Sequence, residues 1–242
     1  MKNLLKAELL KFKKDYFIWG ICIVLIICAC FSILTDVYIS VENALLCLGK
    51  DYMVLLLSFA IYAGFTLTDE FSNRTIIHII TCGNKRLSFL VVKGLHYTLG
   101  CTIIVTLYFG VSVLVSMVTL ETNLPLTDLF HNLIVNLILS IPLYLSIATI
   151  FFLIAFLLKR ATLTMGISVA FSIIGVVFTN KVYYASPIQM QNMLQYLPTI
   201  QLPMIFEHTF YLNDYLITLI LSISIIFVSF IGSFFILEKA EL

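Results

Sequence analysis

Long uninterrupted apolar runs are the feature that most limits what this chain can become. They fall at approximately 17–34, 52–68, 95–118, 133–158, 163–178 and 215–237. Each approaches the roughly 17–25 residues that a helix needs to cross a bilayer. The second and fifth are short and would borrow flanking residues, such as 44–49 for the second. The fourth is long and contains Pro142, which removes a backbone donor and is expected to kink or interrupt it. Composition agrees: 61% of the 242 residues are hydrophobic and 11% are charged. A typical soluble domain is about 25% charged. There is too little polar surface here to cover a water-soluble globule. The expected fold class is an all-α integral membrane protein with six transmembrane helices.

Orientation follows from the basic residues. With both termini cytoplasmic, the inner segments hold Lys2, Lys6, Lys11, Lys13, Lys14, Arg74, Lys85, Arg86, Lys93, Lys159, Arg160 and Lys239, which is 12 of the 14. Lys50 and Lys181 remain outside. The reverse topology would invert this asymmetry. The first run has a basic front but no small-x-small cleavage pattern behind it, so it reads as a span and not a cleavable signal. Net charge of +1 carries no indication of nucleic acid as a partner.

The runs lack the groups that other functions require. No Asp, Glu, Lys or Arg falls in the middle of any of them, whereas ion-coupled transporters need intramembrane ionisable relays. Mid-span polar residues are Asn136, Ser140, Ser146, Thr149, Ser222, Ser224 and Ser229, of types that commonly stabilise helix–helix contacts. H-E-x-x-H, G-x-S-x-G and G-x-x-x-x-G-K-[ST] are absent, so no catalytic residue is assigned and the chain reads as a non-enzyme. His78, His96, His131 and His208 are scattered and receive no ligand role. Cys28-x-Cys30 reads as span interior, so neither a metal site nor a disulfide is expected.

Charge gathers instead in two places. Residues 1–16, MKNLLKAELLKFKKDY, place Leu5, Leu9, Phe12 and Tyr16 in one helical stripe, with Lys2, Lys6 and Lys13 along its edge. This is either a basic anchor in the headgroup layer or an interfacial elbow helix that also touches a cytoplasmic partner. Residues 69–93 are the second place. On a helix starting at Asp69, Ile76, Ile79 and Ile80 share one face, while Glu70, Arg74, His78 and Thr81 occupy the other. Glu70 and Arg74 stand at i,i+4 and are expected to pair. TCGNKR then supplies a turn at Gly83, and Lys93 returns the chain to the headgroups. Periodicity alone admits a lipid-surface helix or a knob that docks in a groove on a cytoplasmic protein.

The pattern Glu70-Phe71-x-Asn73-x-Thr75-Ile76, followed by Gly83-x-x-Arg86 and Lys93, resembles the cytoplasmic loop of type-2 ABC transporter permeases. Such permeases often read E-F-x-N-G/R-T-I, then G-x-S-R, then a lysine entering the third span. Asn84-Lys85 stands here where the family often has a serine before the arginine, so the turn departs in detail. The layout matches along the whole chain and the motif over residues 69–93. Its flavour is that of compact bacterial permeases of lantibiotic immunity, bacitracin resistance and peptide-toxin export.

The resemblance implies a single permease domain over residues 1–242. Within it, 1–16 would be an elbow helix, 69–93 a coupling loop and 180–214 an extracellular connection. The coupling loop would seat on a separate ABC ATPase through Glu70, Asn73, Arg74, Thr75, His78, Lys85 and Arg86, with ATP and Mg bound on that partner and no cofactor in this chain. A second copy or a related permease would complete a dimer in the bacterial cytoplasmic membrane. Asn136, Ser140, Tyr183, Tyr184 and Tyr196 are candidates for the path of an exported amphipathic or antimicrobial peptide. Tyrosines in the outer connection equally suit an ordinary interfacial belt. The alternative function is a non-transporting scaffold or a peptide-sequestering immunity protein, neither of which has a use for a coupling loop.

Overall fold

A computed structural model of the chain describes residues 2–35, 52–72, 76, 85–119, 126–178, 191, 194–206 and 212–239, and all regular structure among them is helical. The main elements are α1 (Lys2–Lys14), α2 (Tyr16–Thr35), α3 (Tyr52–Thr66), α4 (Asp69–Ser72) and α5 (Arg86–Thr119). They continue with α6 (Leu126–Leu158), α7 (Ala161–Val177), α8 (Pro198–Phe206) and α9 (Leu212–Lys239). Among the described residues, five stretches are long and apolar enough to cross a membrane: Tyr16–Ile33, Tyr52–Phe71, Arg86–Thr119, Ile134–Leu158 and Asn213–Lys239. α7 is apolar but only 17 residues long. At 1.5 Å per residue it reaches about 26 Å, short of the roughly 30 Å hydrocarbon core.

Several expected boundaries move. α5 begins at Arg86, nine residues ahead of the expected start at position 95. Excluding Lys93 from an apolar run had placed that boundary too late. α6 begins at Leu126 and runs uninterrupted through Pro142 to Leu158. One missing donor is tolerated inside a helix that neighbouring helices surround. The end of α6 is set by Lys159, which adopts a left-handed φ of 56° while its N–H donates to the Ala155 carbonyl at 3.0 Å. That conformation costs a non-glycine residue on the order of 1–2 kcal/mol. It closes the helix and lets Arg160, in extended conformation, start α7 immediately.

α1 and α2 are likewise joined tightly. The Asp15 carboxylate accepts the N–H of Phe17 at 2.9 Å, capping the first turn of α2 and separating the polar helix from the apolar one. The Leu5–Leu9–Phe12–Tyr16 stripe is only partly realised: Leu5 and Phe12 are half-buried, but Leu9 and Tyr16 are exposed.

α6 is the hub, packing against α3, α5, α7, α8 and α9. Aromatic rings fill the contacts. Tyr62 of α3 stacks on Tyr97 of α5 (5.5 Å between centroids), Tyr97 meets Phe152 of α6 (6.1 Å), and Phe152 meets Phe230 of α9 (5.2 Å). Gly100 makes the first of these possible, since a Cβ there would fall within 3.0 Å of the Tyr62 ring. Hydroxyls in the spans mostly turn back onto their own helices, as Ser140 to Leu137, Ser146 to Leu143 and Thr149 to Ser146. α8, within the connection before α9, is buried against α6, and its Phe206 stacks on Phe109 of α5 at 5.1 Å.

Candidate functional site

Five ionisable side chains from three helices converge where α1 crosses the start of α5. α1 contributes Glu8 and Lys11, α4 contributes Glu70, and α5 contributes Lys93 and His96. The i,i+3 spacing of both the α1 and the α5 pair puts each on one helix face. Lys93 Nζ lies 2.9 Å from Glu8 Oε2 and 2.7 Å from Glu70 Oε1. Lys11 Nζ lies 3.1 Å from Glu8 Oε1 and 2.9 Å from Glu70 Oε1. His96 Nδ1 stands 3.2 Å from Glu8 Oε2, and the edge of its ring meets Phe12. Among the described residues, two ammonium groups thus alternate with two carboxylates.

Burial makes this arrangement consequential. Glu8, Glu70 and Lys93 are only 4%, 4% and 6% exposed. An ion pair removed from water stabilises only if its geometry offsets a desolvation cost of several kcal/mol per ion. Burial alone pushes the Glu8 carboxyl up, but His96, Lys93 and Lys11 outweigh it and hold Glu8 well below the ordinary carboxylate range. For Lys11 burial acts downward, and Glu70 and Glu8 reverse this to raise the ammonium above its usual value. A cleft of about 610 Å³ reaches the cluster from one side, with Lys11, Lys14, Asp15 and Asp69 on its walls.

The start of residues 69–93 is therefore fastened to α1 and α5 at once. Phe71 adds an edge-on contact to Phe156 of α6 at 5.3 Å. The far end of the same segment is fastened too. Arg86 Nη1 donates to the carbonyls of Leu237 (2.9 Å) and Glu238 (2.6 Å), capping the C-terminal end of α9.

The residues proposed from sequence as coupling groups divide accordingly. Glu70 points inward and engages Lys11 and Lys93, and its expected partner Arg74 lies outside the described residues. Arg86 binds α9, while Lys85 is exposed, as is Asp69 beside Glu70. Asn73, Arg74, Thr75 and His78 lie outside the described residues, and Ile76 is buried. Of the path candidates, Asn136 and Ser140 are buried on α6 and Tyr196 is half-buried in the turn before α8. Tyr183 and Tyr184 lie outside the described residues.

Sequence reasoning missed Glu8, assigned His96 no role and placed Lys93 at the headgroups. One signal was available: on a helical wheel Glu8 sits about 40° from Phe12, beside the apolar stripe and opposite its lysine edge.

A family model described as ABC-2 family transporter protein matches residues 4–175. The chain belongs to this family. The match runs from α1 to α7 and includes every residue of the charge cluster. No significant match to a curated protein is found. As an ABC-2 family transporter protein, the chain is a multi-pass membrane permease subunit. The family is typically not catalytic itself, and membership implies an ABC ATPase as partner.

Proposed function

We propose that this ABC-2 permease exports an amphipathic or antimicrobial peptide, or a similar hydrophobic compound, with force supplied by a separate ATPase that binds ATP and Mg. In this reading α7 and its flanks complete six spans, both termini face the cytoplasm of a bacterial cell, and α1 is an elbow helix at the inner surface. Residues 69–93 form the coupling loop, 180–214 the outer connection, and a second copy or related permease completes the path.

One observation carries the reading. The stretch from Glu70 to Arg86 is held at both ends, by Glu70 on Lys11 of α1 and Lys93 of α5 and by Arg86 on the last turn of α9. A segment that only lay on lipid would gain nothing from such anchorage. A segment that passes on a push from an ATPase must be stiff where it joins the spans, because coupling between sites travels through packed elements with discrete arrangements. Glu70 and Arg86 then serve as anchors within the permease, and the exposed Asp69 and Lys85 are left accessible to the partner.

The test is cross-linking from Lys85→Cys, in a background with the six native cysteines replaced, using permease purified from its own membranes. The expected product joins the permease to an ABC ATPase and is absent from a Leu114→Cys control on the exposed face of α5. Labelling of the Lys85→Cys thiol by an impermeant reagent in intact cells would overturn both the topology and the coupling role. Purification with no ATPase would favour the peptide-sequestering alternative.

A further inference from the structure

We propose that the cleft between α1 and α5 is a binding site for one acyl chain of an anionic phospholipid from the surrounding bilayer. The cleft encloses about 230 Å³ and is walled by Leu5, Leu9 and Phe12 of α1, Leu95 and Leu99 of α5, and Leu145 of α6. Thr98 and Thr102 also line it, yet their hydroxyls donate to the carbonyls of Gly94 (2.9 Å) and Thr98 (3.1 Å) on their own helix. What they offer a ligand is methyl surface.

Among the described residues, the other polar groups lining it are Glu8 and His96 at the inner wall, and these take part in the charge cluster. Apart from these two, the cleft offers a ligand apolar surface. Its volume lies below the ~300–1,000 Å³ of a drug-sized site, so it suits a single chain and not a bulky cargo.

The mouth says where the ligand comes from. Leu9, Leu95 and Leu99 are between 45% and 47% exposed, and the latter two belong to the outward face of a span. The cleft is therefore continuous with the surface that lipid covers. Beyond Leu9 on the wheel come Lys6 and Lys13, both exposed, which places cations at the rim where a lipid phosphate would rest. A lipid seated there would wedge against the face of α1 that carries Glu8. The inference needs the chain to span a membrane, which its family establishes, and does not need residues 69–93 to seat an ATPase.

Native mass spectrometry of the detergent-purified permease, incubated with phosphatidylglycerol or phosphatidylcholine, tests this. One retained phosphatidylglycerol per chain is expected, in preference to phosphatidylcholine. Filling the cleft with Thr98→Leu plus Thr102→Leu, or separately with Leu145→Phe, should reduce the adduct at least tenfold. Thr106→Leu, on the same helix outside the cleft, should leave it intact. Lys6→Gln plus Lys13→Gln should abolish the preference for the anionic lipid. The proposal is overturned if no adduct survives, if neither filling variant lowers it while melting like the parent, if the Thr106 control loses it equally, or if the lysine pair is without effect on headgroup preference.

Discussion

Without the Lys93 ammonium, the buried Glu8 and Glu70 carboxylates would lose the cation that bridges them at 2.9 and 2.7 Å. Breaking a buried pair by deleting one partner typically costs about 3–5 kcal/mol, because the remaining charge has no compensation. Lys93→Met is thus expected to lower the melting temperature of the purified permease sharply. Adding Glu70→Gln should recover part of the loss, since it removes the excess negative charge. A second prediction concerns pH. The Glu8 carboxyl is held below its ordinary value of 4.5, so its contribution to α1 docking is fully present above that value and fades as pH falls through the depressed one. Acidification below 4.5 should therefore loosen α1, with Glu8→Gln flattening this acid limb; stability measured against pH reads it directly. Lys11 has the opposite sign: its contribution is present below 10.5 and is lost only as pH rises through its elevated value.

Among elements, α9 depends on a residue far away in sequence. Its last carbonyls at Leu237 and Glu238 are held by Arg86, an instance of the cation that a helix C-terminus favours. Arg86→Ala should fray the final turn of α9, at a cost of about 1 kcal/mol for a partly exposed charged bond. Faster amide exchange over 234–239 would be the sign of it, with the rest of α9 unaffected. These long-range ties explain what was legible in the sequence and what was not. The apolar runs were readable because lipid demands a continuous signal within one segment, and five of the six correspond to stretches able to span. The cluster was not, because residues 8, 11, 70, 93 and 96 belong to α1, α4 and α5 and meet only where those three helices pack. Charge is costly in lipid, yet Lys93 sits inside α5 because two carboxylates from other helices surround it, and residues 86–119 alone do not show them. Arg86 stood out as a motif residue, but no local pattern could indicate that its partner is the end of α9.

At the scale of the molecule, α1, the start of residues 69–93 and α5 form one charged joint, and Arg86 ties the end of the same segment to α9. A load applied to the segment is thereby shared between an N-terminal helix, the third span and the last one. In the proposed coupling role, this joint carries ATPase action into the spans. The most direct measurement is stimulation of ATP hydrolysis by the co-purified ATPase when it is assembled with parent permease, Glu70→Gln, Lys93→Met or the double variant in proteoliposomes. Each single change is expected to leave the ATPase bound but to lower stimulation several-fold, and the double variant to regain a substantial part of it. Full stimulation by both single variants, at normal assembly, would contradict the claim.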